Sequence, residues 1–441
     1  MSFPRYADYK DSGVEWLGEV PGHWTLTPIK ALYRFVKRQD NVDAPVLSVY
    51  REYGVVQKSS RTDNNNKTPD DLSLYQTVLE GDLVVNKMKA WQGSLGISQF
   101  YGITSPDYAV FEKRHSEISG YLYNLLRSRA MPDVYRLISN GIRNEQWRLE
   151  PDKFLQIKIP LPPYIEQESI TAFLDRETAK IDTLVAEQEK LIDLLKEKRQ
   201  AVISHAVTKG LNPDAPMKDS GIEWLGEVPE HWEVVPVSYR YEVQLGKMLD
   251  SSKITGEHLR PYLRVFDVQW GKINIEDLPE MDFDEQDREK YRLFPGDLLV
   301  NEGGSYVGRS AVWLGDVEEC YYQKALHRLR AQDSERDDSR FFFFVMENAT
   351  RRGVFVAGGS QATIEHLTAE ALRRYRFAFP PLDEQLSIVR ALEQETIGID
   401  ALITEAQCAI DLLKERRSAL ISAAVTGKID VRGVVEAEAA A

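Results

Sequence analysis

Apolar residues recur at sevenfold spacing in two stretches of the chain. In the first, Leu174, Ile181, Leu195 and Val202 form a row, with Leu184 and Leu191 in register between them and Gln188 interrupting it. In the second, Leu392, Ile399, Leu413 and Leu420 repeat the row and Leu402 joins it, while Ala406 stands where the first stretch has Gln188. The spacing predicts two long helices, each with an apolar stripe that one helix cannot bury alone. Pro162-Pro163 and Pro380-Pro381 precede them, as suits a helix start. Glu166, Glu168, Asp383 and Glu384 fall in the first turns. Lys196, Lys198, Arg199, Lys414, Arg416 and Arg417 gather towards the far ends, the polarity that complements the helix dipole. Gly210 and Gly427 sit where a C-terminal stop belongs. The simplest closure runs the second helix back along the first as an antiparallel coiled coil. About 40 residues at 1.5 Å each make a spacer of roughly 60 Å. The alternative is that each helix packs on its own domain.

Outside these stretches the pattern shortens. Strand-like runs at Pro45–Tyr50, Asp82–Asn86, Tyr262–Val268 and Asp297–Asn301 alternate with Gly/Asp turns, and helices are expected at Ser119–Ser128 and Ser339–Ala349. No regular strand–helix–strand alternation emerges. The expected class is α+β, with two pseudo-symmetric globular domains separated by the two long helices.

The symmetry is visible in the residues. YKDSGVEWLGEVPGHW (Tyr9–Trp24) returns as MKDSGIEWLGEVPEHW (Met217–Trp232), 208 residues later. PPYIEQ (Pro162–Gln167) returns as PPLDEQ (Pro380–Gln385), and LLKEKRQAVISHAVT (Leu194–Thr208) as LLKERRSALISAAVT (Leu412–Thr426), both at an offset of 218. Between them GDLVVNK (Gly81–Lys87) faces GDLLVNE (Gly296–Glu302) at an offset of 215. The chain is a tandem duplication whose ends stayed alike while its middles diverged. The expected division is a first domain at 1–165, a helix at 166–210, a second domain at 211–382, a helix at 383–428 and a flexible tail at 429–441.

Size and composition narrow the class. A chain of 441 residues with 43% hydrophobic and 28% charged residues is that of a soluble globular protein with more than one core. The longest very apolar run, Phe341–Met346, is far short of a membrane span, and the N-terminus has no secretory pattern. Cys320 and Cys408 have no metal-ligand spacing and fit a reducing cytoplasm. The net charge of −14 is unevenly spread: +2 over residues 1–165, −2 over 166–210, −9 over 211–382 and −5 over 383–441. A global negative charge therefore leaves room for a local basic surface.

No catalytic pattern is present. The sequence has no phosphate-binding P-loop, no G-x-S-x-G elbow and no H-x-E with C-x-x-C. His23 and His231 belong to the repeated G-E-V-P-x-H-W element, where a structural role is the simpler reading. The acidic run Asp282, Asp284, Glu285, Asp287 reads as a solvated loop, its alternative being a nuclease carboxylate cluster. Three loops have the composition of nucleic-acid binders. Lys87, Lys89, Trp91 and Gln92 combine cations, an aromatic ring and an amide; Arg143, Asn144 and Gln146 offer arginine for guanine and amides for adenine; Ser360 and Gln361 lie in the corresponding stretch of the second repeat. Lys247, Ser305 and Arg309 complete the candidates, the last two in or beside the glycine-rich run 301–308, where backbone can approach DNA closely. No catalytic, cofactor-binding or metal-binding residue is assigned.

The assembled pattern resembles the specificity subunits of Type I restriction–modification systems. W-L-G-E-V-P-x-H-W, G-D-L-[VL]-V-N, P-P-x-x-E-Q and L-L-K-E-[KR]-R carry the resemblance, and their duplicated order covers nearly the whole chain. It implies a non-catalytic subunit whose two target-recognition domains each read half of a split, asymmetric double-stranded DNA sequence. It implies that the helix pair acts as a ruler and docks two methyltransferase subunits, with ATP-dependent restriction subunits joining them. S-adenosylmethionine, ATP and Mg2+ would then sit on those partners, and this chain would hold none. A cytoplasmic location follows, with no membrane partner. The competing class is a two-domain protein scaffold that does not bind DNA.

Overall fold

The computed structural model describes residues 3–39, 41–61, 68–140, 147–248, 256–355 and 367–433. They form two compact units, Met1–Glu189 together with Gln407–Ala441, and Lys190–Ala406. The first long helix spans Tyr164–Lys209 and the second Leu382–Val425. At 46 residues the first is about 69 Å long. Each unit contains the beginning of one helix and the end of the other.

The helices run antiparallel. In the first unit Arg417 Nε lies 2.9 Å from Asp182 Oδ1; in the second, Arg199 Nε lies 3.1 Å from Asp400 Oδ1. Asp182 and Asp400, like Arg199 and Arg417, are equivalent positions of the duplication, so one contact is used twice. Leu174, Ile181, Leu392, Ile399 and Leu420 are buried, and Leu195, Val202 and Leu413 are half-buried. The second row of the stripe differs from the sequence-based expectation. Leu184, Leu191 and Leu402 are 44%, 43% and 51% exposed, and the seam continues instead through Val185 and Ile192, and through Ile403 and Ile410. A heptad position has a neighbour three residues away and another four away, on opposite flanks of the stripe. Leucine occupied one flank and β-branched residues the other, and the geometry of the pair selected the second.

Each unit is built on a four-stranded antiparallel sheet of one topology. Its order in the first unit is Tyr33–Val36, Tyr108–Lys113, Leu83–Asn86, Leu95–Ile97; in the second it is Tyr241–Leu245, Leu326–Ala331, Leu298–Asn301, Ser310–Val312. Helices Ser119–Leu126 and Ser339–Arg351 form where the sequence predicts them. The first buries Tyr121, Leu122, Leu125 and Leu126, spaced as one helical face. The run 262–268 is not a single strand. A strand ends at Leu263, and Val265–Asp267 is a 3-10 turn because the Asp267 carboxylate accepts the backbone N–H of Arg264 at 2.7 Å and pairs with its guanidinium.

The repeated motifs are the joints between domain and helices. Tyr9–Asp11 and Glu19–Pro21 form a hairpin that leads to Trp24, and Met217–Asp219 and Glu227–Pro229 repeat it before Trp232; both tryptophans are fully buried. His23 Nε2 lies 2.7 Å from Glu166 Oε2, and His231 Nε2 2.7 Å from Glu384 Oε2. These histidines thus tie each hairpin to the start of a helix. The glutamine of P-P-x-x-E-Q is completely buried in both copies. Gln167 donates to the Pro162 carbonyl and accepts from Ile118 N–H; Gln385 donates to the Pro380 carbonyl and accepts from Asp338 N–H. Gly210 and Gly427 end the helices in the left-handed region, at φ 73° and 72°. A Cβ at Gly427 would lie 2.3 Å from Pro21 Cδ, and one at Gly210 3.4 Å from the Trp232 ring. Each hairpin therefore receives the start of one helix and the end of the other. The cores agree: Ile170, Phe173, Leu174, Leu420, Ala424 and Val425 join the first, and Ile203, Ala206, Val207, Ile388, Val389 and Leu392 the second.

Candidate nucleic-acid interface

The strand Leu83–Asn86 is fixed by what precedes it. The Asp82 carboxylate is buried, accepts the N–H of Leu79 at 2.9 Å and lies 2.6 Å from Arg38 Nη1. Asp297 does the same in the second unit, accepting from Phe294 N–H and pairing with both Arg330 Nε and Nη2 at 2.7 Å. The glycine–aspartate of the repeated motif is thus a rigid turn that aims the hairpin beyond it.

In the first unit that hairpin carries Lys87, Lys89, Trp91 and Gln92. Asn86 Oδ1 accepts the N–H groups of Met88 and Lys89 at 3.0 and 3.2 Å, the local bond that lets asparagine start a turn. Residues Ala90–Gln92 form a 3-10 turn closed by Gly93 at φ 83°, with Trp91 Nε1 donating to the Met88 carbonyl. Lys89 and Gln92 are exposed. Lys87 Nζ donates to the Pro106 carbonyl at 2.6 Å. Burial, and next the nearby Arg148, hold its ammonium below the usual lysine range; Lys37 acts the same way and Asp107 opposes them. An open cleft of about 580 Å³ adjoins the hairpin, lined in part by Lys58, Asp71, Asn86 and Lys89.

A second loop is stitched to this one. Ser139–Asn140 pairs with Arg148–Leu149, and the N–H of Leu149 donates to the Lys87 carbonyl at 2.8 Å. Trp147 meets Trp91 edge-to-face, centroids 5.4 Å apart, and the Arg136 guanidinium lies 5.6 Å from the Trp147 ring. Arg143, Asn144 and Gln146 belong to the segment between those strands and lie outside the described residues. Two loops chosen separately for their composition are therefore neighbours.

The second unit repeats the arrangement with other side chains. The N–H of Leu367 donates to the Glu302 carbonyl at 2.7 Å, the counterpart of the Leu149–Lys87 bond. Gly304–Tyr306, which includes Ser305, is a 3-10 turn matching Ala90–Gln92. Arg309 lies 4.5 Å from the Tyr306 ring and donates to Gln269 Oε1 at 2.6 Å. Ser360 and Gln361 lie outside the described residues. Lys247 is engaged inside its domain: its ammonium is 2.5 Å from Asp287 Oδ2, bonded to the Asp282 carbonyl and 4.9 Å from the Phe283 ring. The acidic run has structural work of its own. Asp282 accepts the N–H groups of Gly256 and His258, and Asp284 caps the helix Glu285–Tyr291 through Asp287 N–H. Among the described residues no group of three or more His, Cys, Asp or Glu is placed to hold a metal ion.

The family model for the Type I restriction modification DNA specificity domain matches this chain twice, over residues 35–193 and 229–407. The chain belongs to that family. Both matches run from a globular unit into a long helix.

Specificity subunits resemble it along most of its length. The Type I restriction enzyme EcoKI specificity subunit of Escherichia coli K12 is 21% identical, covering 93% of this chain and 90% of its own. The MjaVIII specificity subunit of Methanocaldococcus jannaschii is 23% identical, covering 82% and 84%. Among solved structures, a chain from a study of complex assembly and conformational transition in the Type I system aligns over 92% of this chain and 98% of its own, with a TM-score of 0.70 at 16% identity. The HsdS subunit from Thermoanaerobacter tengcongensis aligns over 95% and 99%, with a TM-score of 0.52 at 16% identity. DNA target recognition is the role of the family, and this specificity subunit shares its two-domain, two-helix fold. Among the described residues no helix is long and apolar enough to cross a membrane.

Within the specificity subunit, sequence reasoning passed over Lys37 and Arg136, and it took Trp147, Arg148 and Tyr306 only as members of the runs 140–148 and 301–308, not as contact residues. Tyr306 stands at the hairpin position of Trp91, and the 215-residue offset of the G-D-L-[VL]-V-N motif was the signal that could have found it.

Proposed function

We propose that this subunit reads a bipartite, asymmetric double-stranded DNA target, one half through residues 25–161 and the other through 233–379. The observation that carries the reading is the repeated pair of stitched loops. In both units the hairpin after G-D-L-[VL]-V-N is hydrogen-bonded to a second loop flank, Leu149 on Lys87 and Leu367 on Glu302. The scaffold is duplicated and the side chains on it are not, which is what two different half-sites require, since base contacts specify while phosphate contacts position. Arginine and amide side chains in these loops suit guanine and adenine edges, and the flanking lysines suit phosphates.

On this reading the chain is non-catalytic and cytoplasmic. Two methyltransferase subunits dock against the helix pair, and ATP-dependent restriction subunits join them. S-adenosylmethionine, ATP and Mg2+ belong to those partners. The partners also supply basic surface that a chain of net charge −14 lacks. Genome-wide mapping of methylated adenine in cells with and without this chain tests the proposal. One split motif should vanish on deletion and return on complementation. A methylome that does not change would leave the scaffold reading in its place.

A further inference from the structure

We propose that the two recognition domains hold DNA unequally: the first supplies most of the sequence-independent grip, because the hairpin position that is a cation there, Lys87, is an anion, Glu302, in the second. This rests on the DNA-reading proposal above and concerns how that site divides its work.

The two positions are structurally the same. Each follows the third strand of an identically ordered four-stranded sheet. The N–H of Lys87 donates to the Asp107 carbonyl at 3.0 Å, and that of Glu302 to the Ala325 carbonyl at 3.0 Å. Both carbonyls accept the stitching bond from the second loop flank, at 2.8 and 2.7 Å. With the backbone matched, the difference is the sign of the side chain.

The surroundings reinforce it. Around Lys87, the cations Lys37, Lys89 and Arg148 are exposed, with Asp107 as the nearby acid. Lys87 gives one N–H to Pro106, and an ammonium has two more to offer a phosphate. Around Glu302, Lys247 is neutralised by Asp287, and Arg309 is laid across Tyr306 and bonded to Gln269. Lys324 is the exposed cation nearest by backbone, next to the Ala325 carbonyl that accepts from Glu302. Among the described residues the Glu302 carboxylate makes no ion pair or hydrogen bond. The segments around the two sites differ in the same sense, +2 over residues 1–165 and −9 over 211–382.

A domain held mainly by base contacts depends more on its own half-site being correct. Mismatches in the second half-site should therefore release DNA more readily than mismatches in the first, where phosphate contacts persist whatever the sequence.

The test uses the complete complex assembled on wild-type, Lys87→Glu, Glu302→Lys, Glu302→Gln or Trp91→Ala chains. Binding to the methylation target and to a scrambled duplex is measured from 50 to 200 mM salt. Each phosphate neutralised by the protein contributes about 0.9 to the slope of log affinity against log salt. Lys87→Glu should weaken both duplexes, by about tenfold at low salt, and flatten the slope by about one. Glu302→Lys should tighten both and steepen the slope, Glu302→Gln should do so by roughly half, and neither should alter the preferred half-site sequences. Complex that retains its subunits and its melting temperature keeps these readings interpretable. A Glu302→Lys complex with unchanged affinity and slope would overturn the inequality, as would one that binds more weakly. If Lys87→Glu and Trp91→Ala both leave binding untouched, these hairpins do not meet DNA, and the proposed function falls with the inference.

Discussion

His327 has no exposed surface, and its Nε2 lies 2.6 Å from the carbonyl of Leu367, the residue stitched to Glu302. Burial pushes its pKa down to about 4, and the other ring nitrogen has no partner among the described residues. The native state therefore holds the neutral imidazole while the unfolded chain binds a proton below about pH 6.5. The contribution of His327 is complete above that pH and declines as pH falls towards 4, by up to about 3 kcal/mol. His327→Gln keeps a donor for Leu367 without the titration. Wild type should exceed it in melting temperature at pH 7, and the gap should narrow steadily towards pH 4.5; a constant gap would show that the imidazole is not held neutral. At the proposed DNA face, Lys89→Ala should weaken all duplexes alike and lower the salt slope by about one. Arg143→Ala should cost about 1–3 kcal/mol on the methylation target and relax one position of the motif. Equal losses on target and scrambled duplex for both variants would place Arg143 on the backbone. At this scale the sequence offered residue types whose chemistry suits the proposed surface. It did not show that Trp91 and Trp147 touch, because 56 residues separate them and only the fold brings Leu149 to Lys87.

The helices show how far periodicity reaches. Sevenfold spacing located both of them and called for a partner, because a stripe of that width has to be covered, while the charged ends gave their polarity and the domain–helix–domain–helix order their antiparallel pairing. It did not choose between the neighbours three and four residues away, and the side chains that fill the seam are Val185, Ile192, Ile403 and Ile410. Ile192→Ala should accordingly cost about 2–5 kcal/mol by denaturant midpoint, while Leu191→Ala, one residue earlier and 43% exposed, should stay within about 0.5 kcal/mol. The reverse ranking would restore the leucine row. The helix starts have a different dependence. Gln385 is fully buried and serves the Pro380 carbonyl and the Asp338 N–H at once. Gln385→Ala should cost about 1–3 kcal/mol by orphaning both, and a neutral result would require other partners for them. The P-P-x-x-E-Q repeat was evident as a boundary before its physical purpose was, since nothing local to it names Ile118 or Asp338 as its partners.

For the whole molecule, the duplication is the organising fact. Tyr9–Trp24 and Met217–Trp232 recur because each forms a joint that accepts the start of one helix and the end of the other, with Gly427 against Pro21 and Gly210 beside Trp232. The joints and helices share one architecture, so their sequences stay alike. The recognition domains share a sheet order and diverge in the loops it carries, so that divergence is where specificity belongs. The central claim is that each domain reads its own half of the target. Its most direct measurement is the methylated motif written by chains in which residues 25–161, or residues 233–379, are replaced by those of a family member with a different target. Each exchange should rewrite one half of the split motif and leave the other half unchanged. A single exchange that alters both halves would contradict the account.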